Sequence, residues 1–308
     1  MSLSHLWESV TSTFSVGNIV FSLDRAFLQA HTSETLPYDD QNNKITIFNP
    51  DSNGTGLFFF IHGGGFGDGF SRYEMQRHYM NIADTLDWPL ASPDFSLQTS
   101  ESDMLDDITN AYNRVSDKYP NRMIFVFGAS SGAYVALSLL QSGRIHPSGL
   151  ILDSPITCFK DPALLDHDCK GVMGQLNVTS LKCFYDFVPQ VPMFVGTPTI
   201  DTIVPPSQTN NWKAAKAVLA HSNVCLDNDD AIHGHAIIFG KCEKAFTRWF
   251  KDVSGISISW LRLRVQTLYI RTAIAMGVAV QRFDKQSLCK SLCNTYVLDS
   301  EIRSSFGC

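Results

Sequence analysis

Short apolar runs alternate with amphipathic stretches along the chain from residue 45 onward. The apolar runs predict strands at Ile45–Phe48, Leu57–Ile61, Pro89–Phe95, Met123–Phe127, Gly149–Asp153, Val191–Val195 and Val224–Asp227. The intervals between them carry helical patterns, for example at Tyr73–Leu86, Ser102–Ser116, Ala133–Leu140 and Gln208–Ala220. Strands that are separated by helices predict the α/β class, with a mostly parallel central sheet that helices cover on both faces.

Three segments depart from this alternation and divide the chain. Residues 1–43 are predicted to form an N-terminal helical or cap segment, and residues 44–255 the α/β domain. Within that domain, residues 154–190 are long for one crossover connection and irregular in pattern, which indicates a cap inserted over the site; a crossover helix with a long loop is the alternative. Residues 256–308 are a basic extension whose apolar runs are too short to span a membrane. The alternatives for it are a packed or partly disordered extension and a basic amphipathic element that lies on a membrane surface.

A glycine-rich turn directly follows the predicted strand Leu57–Ile61. Its sequence is His62-Gly63-Gly64-Gly65-Phe66. Because glycine has no Cβ, adjacent glycines let backbone N–H groups approach a ligand closely, and such amides can stabilise a developing oxyanion. A phosphate-binding loop does not fit, since no Gly-Lys-Ser/Thr follows and the spacing is not GxGxxG. A plain flexible turn is the remaining alternative.

A second motif, Gly128-Ala129-Ser130-Ser131-Gly132, lies between the predicted strand Met123–Phe127 and the helix that begins near Ala133. A sharp strand-to-helix turn strains its central residue and is tolerated only if the residues two before and two after it are small. The motif therefore predicts that Ser130 is a nucleophile, with the positive end of the helix beneath it.

A serine nucleophile needs a general base, and that base needs a third group to fix its tautomer. Asp201 follows the predicted strand Val191–Val195, and His233 and His235 follow the next strand. Because catalytic groups of parallel sheets lie at the carboxyl ends of the strands, these side chains are expected near Ser130. The spacing leaves both histidines open as the base.

The segments HGGGF, GASSG, GTPTIDTIVPP and IHGH together resemble the hormone-sensitive-lipase-like branch of the α/β-hydrolase superfamily. The resemblance covers residues 44–252 and implies an α/β-hydrolase fold with a small helical cap that shapes the acyl pocket. It also implies hydrolysis of carboxylic esters. Asp94 stands where that branch carries a DYR-like turn, but Ser96 replaces its arginine.

The resemblance also implies roles for single residues. The implied catalytic residues are Ser130, Asp201 and His233, with His235 as the second choice for the base. The implied oxyanion donors are the backbone amides of Gly63, Gly64 and Ser131. His62 is expected to brace the glycine turn, because the triad already has its base.

Composition narrows the class of protein further. A net charge of -6 and a pI near 5.8 argue against general nucleic-acid binding. The first thirty residues lack the basic start and apolar run of a secretory signal. The eight cysteines are therefore expected to be free thiols in a reducing, cytoplasmic compartment. Since no CxxC pair occurs, no metal site is expected, and the predicted chemistry requires no cofactor.

The sequence thus predicts a serine hydrolase that cleaves small ester substrates with short to medium acyl chains through an acyl-enzyme. One alternative keeps the triad and changes the bond to an amide, as in an arylformamide or a small peptide. A second alternative, from a different class, is a receptor-like member of the fold that binds a small ligand without turnover. The natural substrate, the oligomeric state and the role of residues 256–308 do not follow from residue order.

Overall fold

The computed structural model describes most of the predicted α/β domain. The described residues are 27–39, 43–66, 72–73, 77–96, 99–161, 182–187, 189–199, 201, 203–215, 222–228, 231, 233–234, 236–237 and 242–258. Within them, the strands are β1 (Ser33–Pro37), β2 (Lys44–Phe48), β3 (Gly56–Ile61), β4 (Leu90–Pro93), β5 (Met123–Ala129), β6 (Gly149–Asp153), β7 (Met193–Pro198) and β8 (Ser222–Asn228). The helices within the same ranges are α1 (Arg77–Leu86), α2 (Glu101–Lys118), α3 (Ser131–Gln141), α4 (Ser207–Ala215) and α5 (Cys242–Ser254).

The described strands form one sheet in the order β1-β2-β4-β3-β5-β6-β7-β8. The β1/β2 and β2/β4 pairs are antiparallel, and all other pairs are parallel. The prediction of a mostly parallel sheet flanked by helices is confirmed. Because β3 and β5 to β8 run in the same direction, their carboxyl ends meet at one edge of the sheet, which is where ligands bind in such folds.

Strand β3 shows how the layers are held together. All six of its residues, GLFFFI, are buried. Leu57, Phe59 and Ile61 belong to the core that includes apolar side chains of α2 and α3. Phe58 and Phe60 belong to the core on the other face, with side chains of α1 and α5. Since side chains alternate between the faces of a strand, a continuous apolar run is what a sheet covered on both faces requires.

Helix α2 has a typical helix start. The side chain of Ser100 accepts a hydrogen bond from the backbone N–H of Asp103 at 3.1 Å, which satisfies one of the free amides of the first turn. Glu101 and Asp103 lie in the first turn and Lys118 in the last, so the charges match the helix dipole. Apolar residues on one side of α2, such as Ile108, pack on the sheet.

The prediction that residues 1–43 are helical is wrong for Ser33–Pro37, which form β1. This short strand at the sheet edge alternates between exposed and half-buried residues and pairs with β2 from Ser33↔Phe48 to Pro37↔Lys44. Its conformation comes from that pairing rather than from its own apolar content. The division into domains otherwise stays a prediction, since residues 1–26, 162–181 and 259–308 lie outside the described residues.

The prediction of free thiols is wrong for four of the eight cysteines. Cys158 forms a disulfide with Cys183, and Cys225 on β8 forms one with Cys242 at the start of α5. Helix α5 packs on β8, so the fold brings the second pair together. Disulfides are typical of oxidising compartments, so the thiol argument for a reducing one fails, and a cytoplasmic location stays a prediction. Within the described ranges, no helix is long and apolar enough to cross a membrane.

Candidate active site

Ser130 lies at a sharp turn between the last residue of β5 and the first residue of α3. Its backbone has φ 53° and ψ −119°, a conformation that non-glycine residues rarely adopt. Such a conformation costs about 1–3 kcal/mol and is retained where the surrounding structure enforces it, often at functional sites. The N–H of Ser130 donates to the carbonyl of Asp153 at 2.9 Å, which ties the turn to the end of β6.

The two glycines of this motif are required by close packing. A Cβ on Gly128 would lie 2.7 Å from Cα of Ala133, and a Cβ on Gly132 would lie 2.2 Å from the carbonyl oxygen of Ile61. Backbone atoms on both sides therefore leave no room for a side chain. The motif predicted from the sequence has the expected strand–turn–helix context.

The glycine turn after β3 lies directly against Ser130. A Cβ built on Gly63 would meet Cβ of Ser130 at 3.2 Å, and Gly64 and Gly65 have φ values of 114° and 63°. The amide of Gly65 donates to the side-chain oxygen of Ser131 at 3.0 Å, so this amide is already engaged. The predicted oxyanion donors Gly63, Gly64 and Ser131 thus lie in two segments that contact each other beside Ser130.

His233 and Asp201 are in direct contact. Nδ1 of His233 lies 2.8 Å from Oδ2 of Asp201, and the two side chains are 13% and 0% exposed. The other oxygen of Asp201 accepts the backbone N–H groups of Ile203 and Val204 at 2.9 and 2.8 Å, which fixes the carboxylate. Because a carboxylate accepts hydrogen bonds, Nδ1 carries the proton and Nε2 is left as the basic nitrogen.

The three predicted triad residues follow three parallel strands of one sheet edge. Ser130 follows β5, Asp201 follows β7 and His233 follows β8. The structure therefore pairs the first-choice histidine with the predicted carboxylate on the side of the sheet where Ser130 lies. His235, the second choice for the base, lies outside the described residues.

The surroundings of His233 favour its protonated form. Burial lowers the pKa of His233, but the charge of Asp201, the hydrogen bond to Asp201 and the charge of Asp153 together raise it above its ordinary value. An imidazolium that forms during proton transfer would therefore be stabilised by two carboxylates rather than one.

His62 is buried beneath the glycine turn and stacks on Phe95 at a ring distance of 4.4 Å. Its Nδ1 donates to the carbonyl of Gly63 at 2.8 Å, and its Nε2 has no hydrogen-bond partner among the described residues. Burial lowers the pKa of His62 to about 4, against the opposing effects of the Gly63 carbonyl and the charge of Asp94. A neutral, buried ring bonded to Gly63 suits a bracing role.

Asp94 has an arginine partner, although Ser96 stands where the DYR-like turn would carry its arginine. The guanidinium of Arg72 pairs with one oxygen of Asp94, and the backbone N–H of Arg72 donates to the other at 2.8 Å. The arginine thus comes from the segment after the glycine turn instead of from position 96. No sequence pattern indicated the pair of Arg72 and Asp94, because the two residues are 22 positions apart.

Sequence reasoning also missed Asp153 at the end of β6. This side chain is fully buried and accepts hydrogen bonds from Tyr79, Ser154 and the backbone of Ala236. The available signal was its position at the carboxyl end of a predicted parallel strand. Within the described residues, no group of three or more His, Cys, Asp or Glu side chains is arranged to hold a metal ion.

An aromatic cluster lies next to the elbow and the glycine turn. Tyr134, one helical turn after Ser130, packs against Phe159 and Phe184 with ring distances of 4.6 and 5.2 Å, and against Phe66 at 6.3 Å. Phe66 ends the glycine turn, and the other two phenylalanines lie in the first and last parts of the predicted cap, residues 154–190. The cluster therefore joins α3, the glycine turn and the two ends of that insertion.

Those two ends, residues 154–161 and 182–187, form what we call the cap stem. The Cys158–Cys183 disulfide joins them, and the N–H of Phe184 donates to the carbonyl of Thr157 at 2.9 Å. Gln208 of α4, which is fully buried, accepts the N–H groups of Thr157 and Cys158 at 2.8 Å each and donates to the carbonyl of Cys158 at 3.0 Å. The stem is thus fixed to the domain.

Comparison with known proteins gives one family and many solved structures. The chain matches the model of the family described as serine aminopeptidase, S33, over residues 93–225, which include Ser130 and Asp201. Among curated proteins, none matches.

Three of the similar structures belong to esterases and lipases. An esterase/lipase from an uncultured bacterium has 13% identity and a TM-score of 0.56, covering 79% of this chain and 97% of its own. A hormone-sensitive lipase from a metagenome library has 17% identity and a TM-score of 0.55, covering 76% and 91%. Thermogutta terrifontis esterase 2, phosphonylated by sarin, has 16% identity and a TM-score of 0.56, covering 75% and 98%.

At this level of identity, structural likeness establishes the fold and leaves the substrate open. The strand order, the strand–turn–helix context of Ser130 and the matched family agree with one another. By these observations, the chain has the α/β-hydrolase fold, and its residues 93–225 are similar to the serine aminopeptidase, S33, family.

Proposed function

We propose that this chain is a serine hydrolase that cleaves carboxylic esters with short to medium acyl chains, through a covalent acyl-enzyme. The observation that carries the proposal is the Asp201–His233 pair at the sheet edge where the strained residue Ser130 lies. A carboxylate that fixes the tautomer of an imidazole is what a serine nucleophile needs from its base.

In the first step, Oγ of Ser130 attacks the carbonyl carbon of the ester while Nε2 of His233 takes the hydroxyl proton. The C–O bond to the alcohol then breaks, and His233 returns the proton to the leaving oxygen. The amides of Gly63, Gly64 and Ser131 hold the negative oxygen of the tetrahedral intermediate, a contribution typically worth about 10²–10³ in rate for each donor. The products of this step are the free alcohol and acylated Ser130.

In the second step, water attacks the acyl carbonyl while Nε2 of His233 takes its proton. The bond between the acyl carbon and Oγ of Ser130 then breaks, His233 returns the proton to Oγ, and the acid is released. Asp201 holds the imidazole in place throughout. The short to medium acyl length is supported by the aromatic cluster, because Tyr134, Phe159 and Phe66 already fill space beside the elbow and the glycine turn. Residues 154–190 would complete the acyl pocket as a cap.

The direct test is hydrolysis of p-nitrophenyl acetate and p-nitrophenyl butyrate by the wild type and by Ser130→Ala. We expect the variant to lose roughly 10⁴-fold or more of kcat, since the serine and histidine act as one unit. Ser138→Ala is a matched control, because Ser138 is a second buried serine of α3 and bonds to Glu101 rather than to the site. Equal rates for the wild type and Ser130→Ala would refute the role of Ser130.

A fluorophosphonate probe gives a second readout that needs no substrate. The wild type should be labelled and Ser130→Ala should not, in keeping with the phosphonylation of the structurally similar Thermogutta esterase. An unlabelled wild type would favour the receptor-like alternative, in which a small ligand is bound without turnover. A series of acyl chains from acetyl to decanoyl would then locate the length limit, which we expect to fall before decanoyl.

A second candidate function is amide hydrolysis by the same residues, and the match to a serine aminopeptidase family favours it. Ester and amide cleavage share the nucleophile, the base and the oxyanion donors, so the difference lies in substrate binding. Competition between p-nitrophenyl butyrate and aminoacyl p-nitroanilides or an N-formyl arylamine separates them. A higher kcat/KM for an amide would replace the ester proposal and leave the catalytic residues unchanged.

A further inference from the structure

Asp153 is a buried carboxylate that the proposed triad does not use. It ends β6, between β5, which leads to Ser130, and β7, which leads to Asp201. The residue has no exposed surface. A buried carboxylate is costly unless it is paired or hydrogen-bonded, so its partners show what it stabilises.

Two of its four side-chain partners are backbone N–H groups of the segment that follows His233. The N–H of Ala236 lies 3.1 Å from each oxygen of Asp153, and the N–H of Ile237 lies 3.4 Å from one of them. The hydroxyl of Ser154 donates to Asp153 at 2.9 Å and accepts the N–H of Gly234 at 2.9 Å. Three amides after the histidine are therefore held by Asp153 directly or through Ser154.

Asp153 also contacts the nucleophile's turn. Its backbone carbonyl accepts the N–H of Ser130 at 2.9 Å. One residue thus bonds by its main chain to the serine and by its side chain to the segment that carries the histidine. Neither contact involves Asp201, whose oxygens are taken by His233, Ile203 and Val204.

We propose that Asp153 is a positioning residue that sets the place of His233 relative to Ser130 by holding the backbone at Gly234, Ala236 and Ile237. This inference rests on the proposed function, because it concerns the same reaction. Asp153 touches no reacting atom and acts through His233. A misplacement of about 1 Å at a catalytic group can cost about 10²-fold in rate, so such an anchor affects turnover.

The hydrogen bonds that Tyr79 makes depend on the protonation state of Asp153. Its hydroxyl lies 2.8 Å from Oδ2 of Asp153 and 3.1 Å from the carbonyl oxygen of Gly234, yet a phenol has one proton to donate. When Asp153 is ionised, the phenol donates that proton to a hydrogen bond with the carboxylate. When Asp153 is protonated, the carboxyl donates to the tyrosine oxygen, and the phenol donates to Gly234.

The titratable groups that face Asp153 are Tyr79 from α1 and His233 from the segment after β8. Burial raises the pKa of Asp153 to about 6, although the amide of Ala236, Tyr79, Ser154 and the charge of His233 all lower it. Burial and the charge of Asp153 raise the pKa of Tyr79, so the phenol stays neutral and remains a donor. The ionised carboxylate in turn raises the pKa of His233.

The test compares the wild type with Asp153→Asn. We expect kcat for p-nitrophenyl butyrate to fall about 10- to 100-fold while KM changes little, because binding groups stay in place. We also expect the acid limb of the kcat/KM profile, which reports the pKa of His233 in the free enzyme, to move to lower pH. The direction follows from the loss of a negative charge beside the imidazole.

Asp107→Asn is the matched control. Asp107 is also a buried aspartate; it accepts the N–H of Ser96 at 2.8 Å and the side-chain amide of Asn43 at 3.3 Å, on α2 and away from the histidine segment. It should lose stability but keep kcat and the acid limb of the wild type. Should Asp153→Asn fail to fold, Tyr79→Phe keeps the volume and removes one donor, and it should shift the acid limb in the same direction by less.

An NMR titration of the His233 ring, assigned by its loss in His233→Gln, separates this inference from the proposed function. An active wild type with unchanged acid limb and unchanged His233 titration in Asp153→Asn and Tyr79→Phe would overturn the role of Asp153 alone. An inactive wild type whose His233 titration still shifts in Asp153→Asn would remove the hydrolase proposal and retain the coupling. If neither activity nor a shift is found, both proposals fail.

Discussion

Ser131 links the two loops beside Ser130 through its side chain as well as its amide. Its buried hydroxyl accepts the N–H of Gly65 at 3.0 Å, while its own backbone N–H is one of the proposed oxyanion donors. The hydrogen bond fixes the glycine turn to the start of α3. It therefore helps to keep Gly63 against Ser130, where its amide would be needed.

We expect Ser131→Ala to lower kcat about tenfold, because it keeps the amide but frees the glycine turn to move. The unsatisfied N–H of Gly65 should also lower the free energy of unfolding by about 1–3 kcal/mol. Urea denaturation and p-nitrophenyl butyrate kinetics measure the two effects. Ser138→Ala, on the same helix, should lower stability without lowering kcat, and an unchanged kcat in Ser131→Ala would contradict the role of the hydroxyl.

At the scale of single residues, the sequence motif predicted the features of the site that depend on neighbouring residues. Ser130 needs small neighbours and a helix after it, and both are visible in the sequence. Asp153 is different, because its partners Tyr79 and Ala236 are 74 and 83 residues away. A single aspartate at a strand end does not indicate partners that are so distant in the sequence. The sequence alone therefore could not predict the proposed role of Asp153.

At the scale of elements, the Cys225–Cys242 disulfide closes the part of the chain that carries His233. The two cysteines are 17 residues apart, one on β8 and one at the start of α5. The disulfide and the hydrogen bonds of Asp153 constrain the same segment from different sides. Loss of the disulfide should therefore affect both stability and the position of the histidine.

We expect Cys225→Ser/Cys242→Ser to lower the free energy of unfolding by about 3 kcal/mol, the typical entropic contribution of a disulfide that closes a loop of this size. The kcat should fall as well, because the histidine segment gains freedom. Cys158→Ser/Cys183→Ser is the matched comparison: it should lose similar stability, with a smaller change in the His233 NMR titration. Denaturation curves and kinetics of both double variants decide the point, and identical behaviour of the two would refute the assignment to His233.

Elements that are apolar throughout could be predicted, and those formed by pairing could not. Strands β3 and β6 are buried on both faces, so their apolar runs Leu57–Ile61 and Gly149–Asp153 locate them closely. Strand β1 has the sequence SETLP, and it becomes a strand because β2 lies beside it. The disulfide pairs could not be predicted either, because eight cysteines allow many pairings and the sequence does not select one.

At the scale of the whole molecule, two fully buried groups give opposite pH dependences of stability. His62 has a pKa of about 4 in the folded protein, below its ordinary value of 6.5, so its contribution is lost as pH falls through this window. Asp153 has a pKa of about 6, above its ordinary value of 3.8, so its contribution is present at low pH and lost as pH rises through the folded pKa. The two effects oppose each other between about pH 4 and 6.

A variant that lacks one of the two groups should therefore show a clearer pH dependence of the free energy of unfolding than the wild type. In Asp153→Asn the His62 effect remains, and the free energy of unfolding should decrease as pH is lowered from 6.5 to 4, by about 3 kcal/mol. In His62→Gln the Asp153 effect remains, and the free energy of unfolding should decrease as pH is raised from 4 to 6, by a similar amount. Urea denaturation at half-unit pH steps measures both, and slopes of the same sign would contradict the assignment.

The cap stem has a consequence for how the proposed hydrolase could change its substrate. The two ends of the insertion leave the domain side by side, with Cα atoms of Cys158 and Cys183 4.0 Å apart, and Gln208 anchors one of them. A peptide grafted between such adjacent attachment points needs no particular length to bridge a gap. We therefore expect that other sequences can replace this segment while the described sheet and helices stay intact, so the proposed cap could vary without loss of the fold.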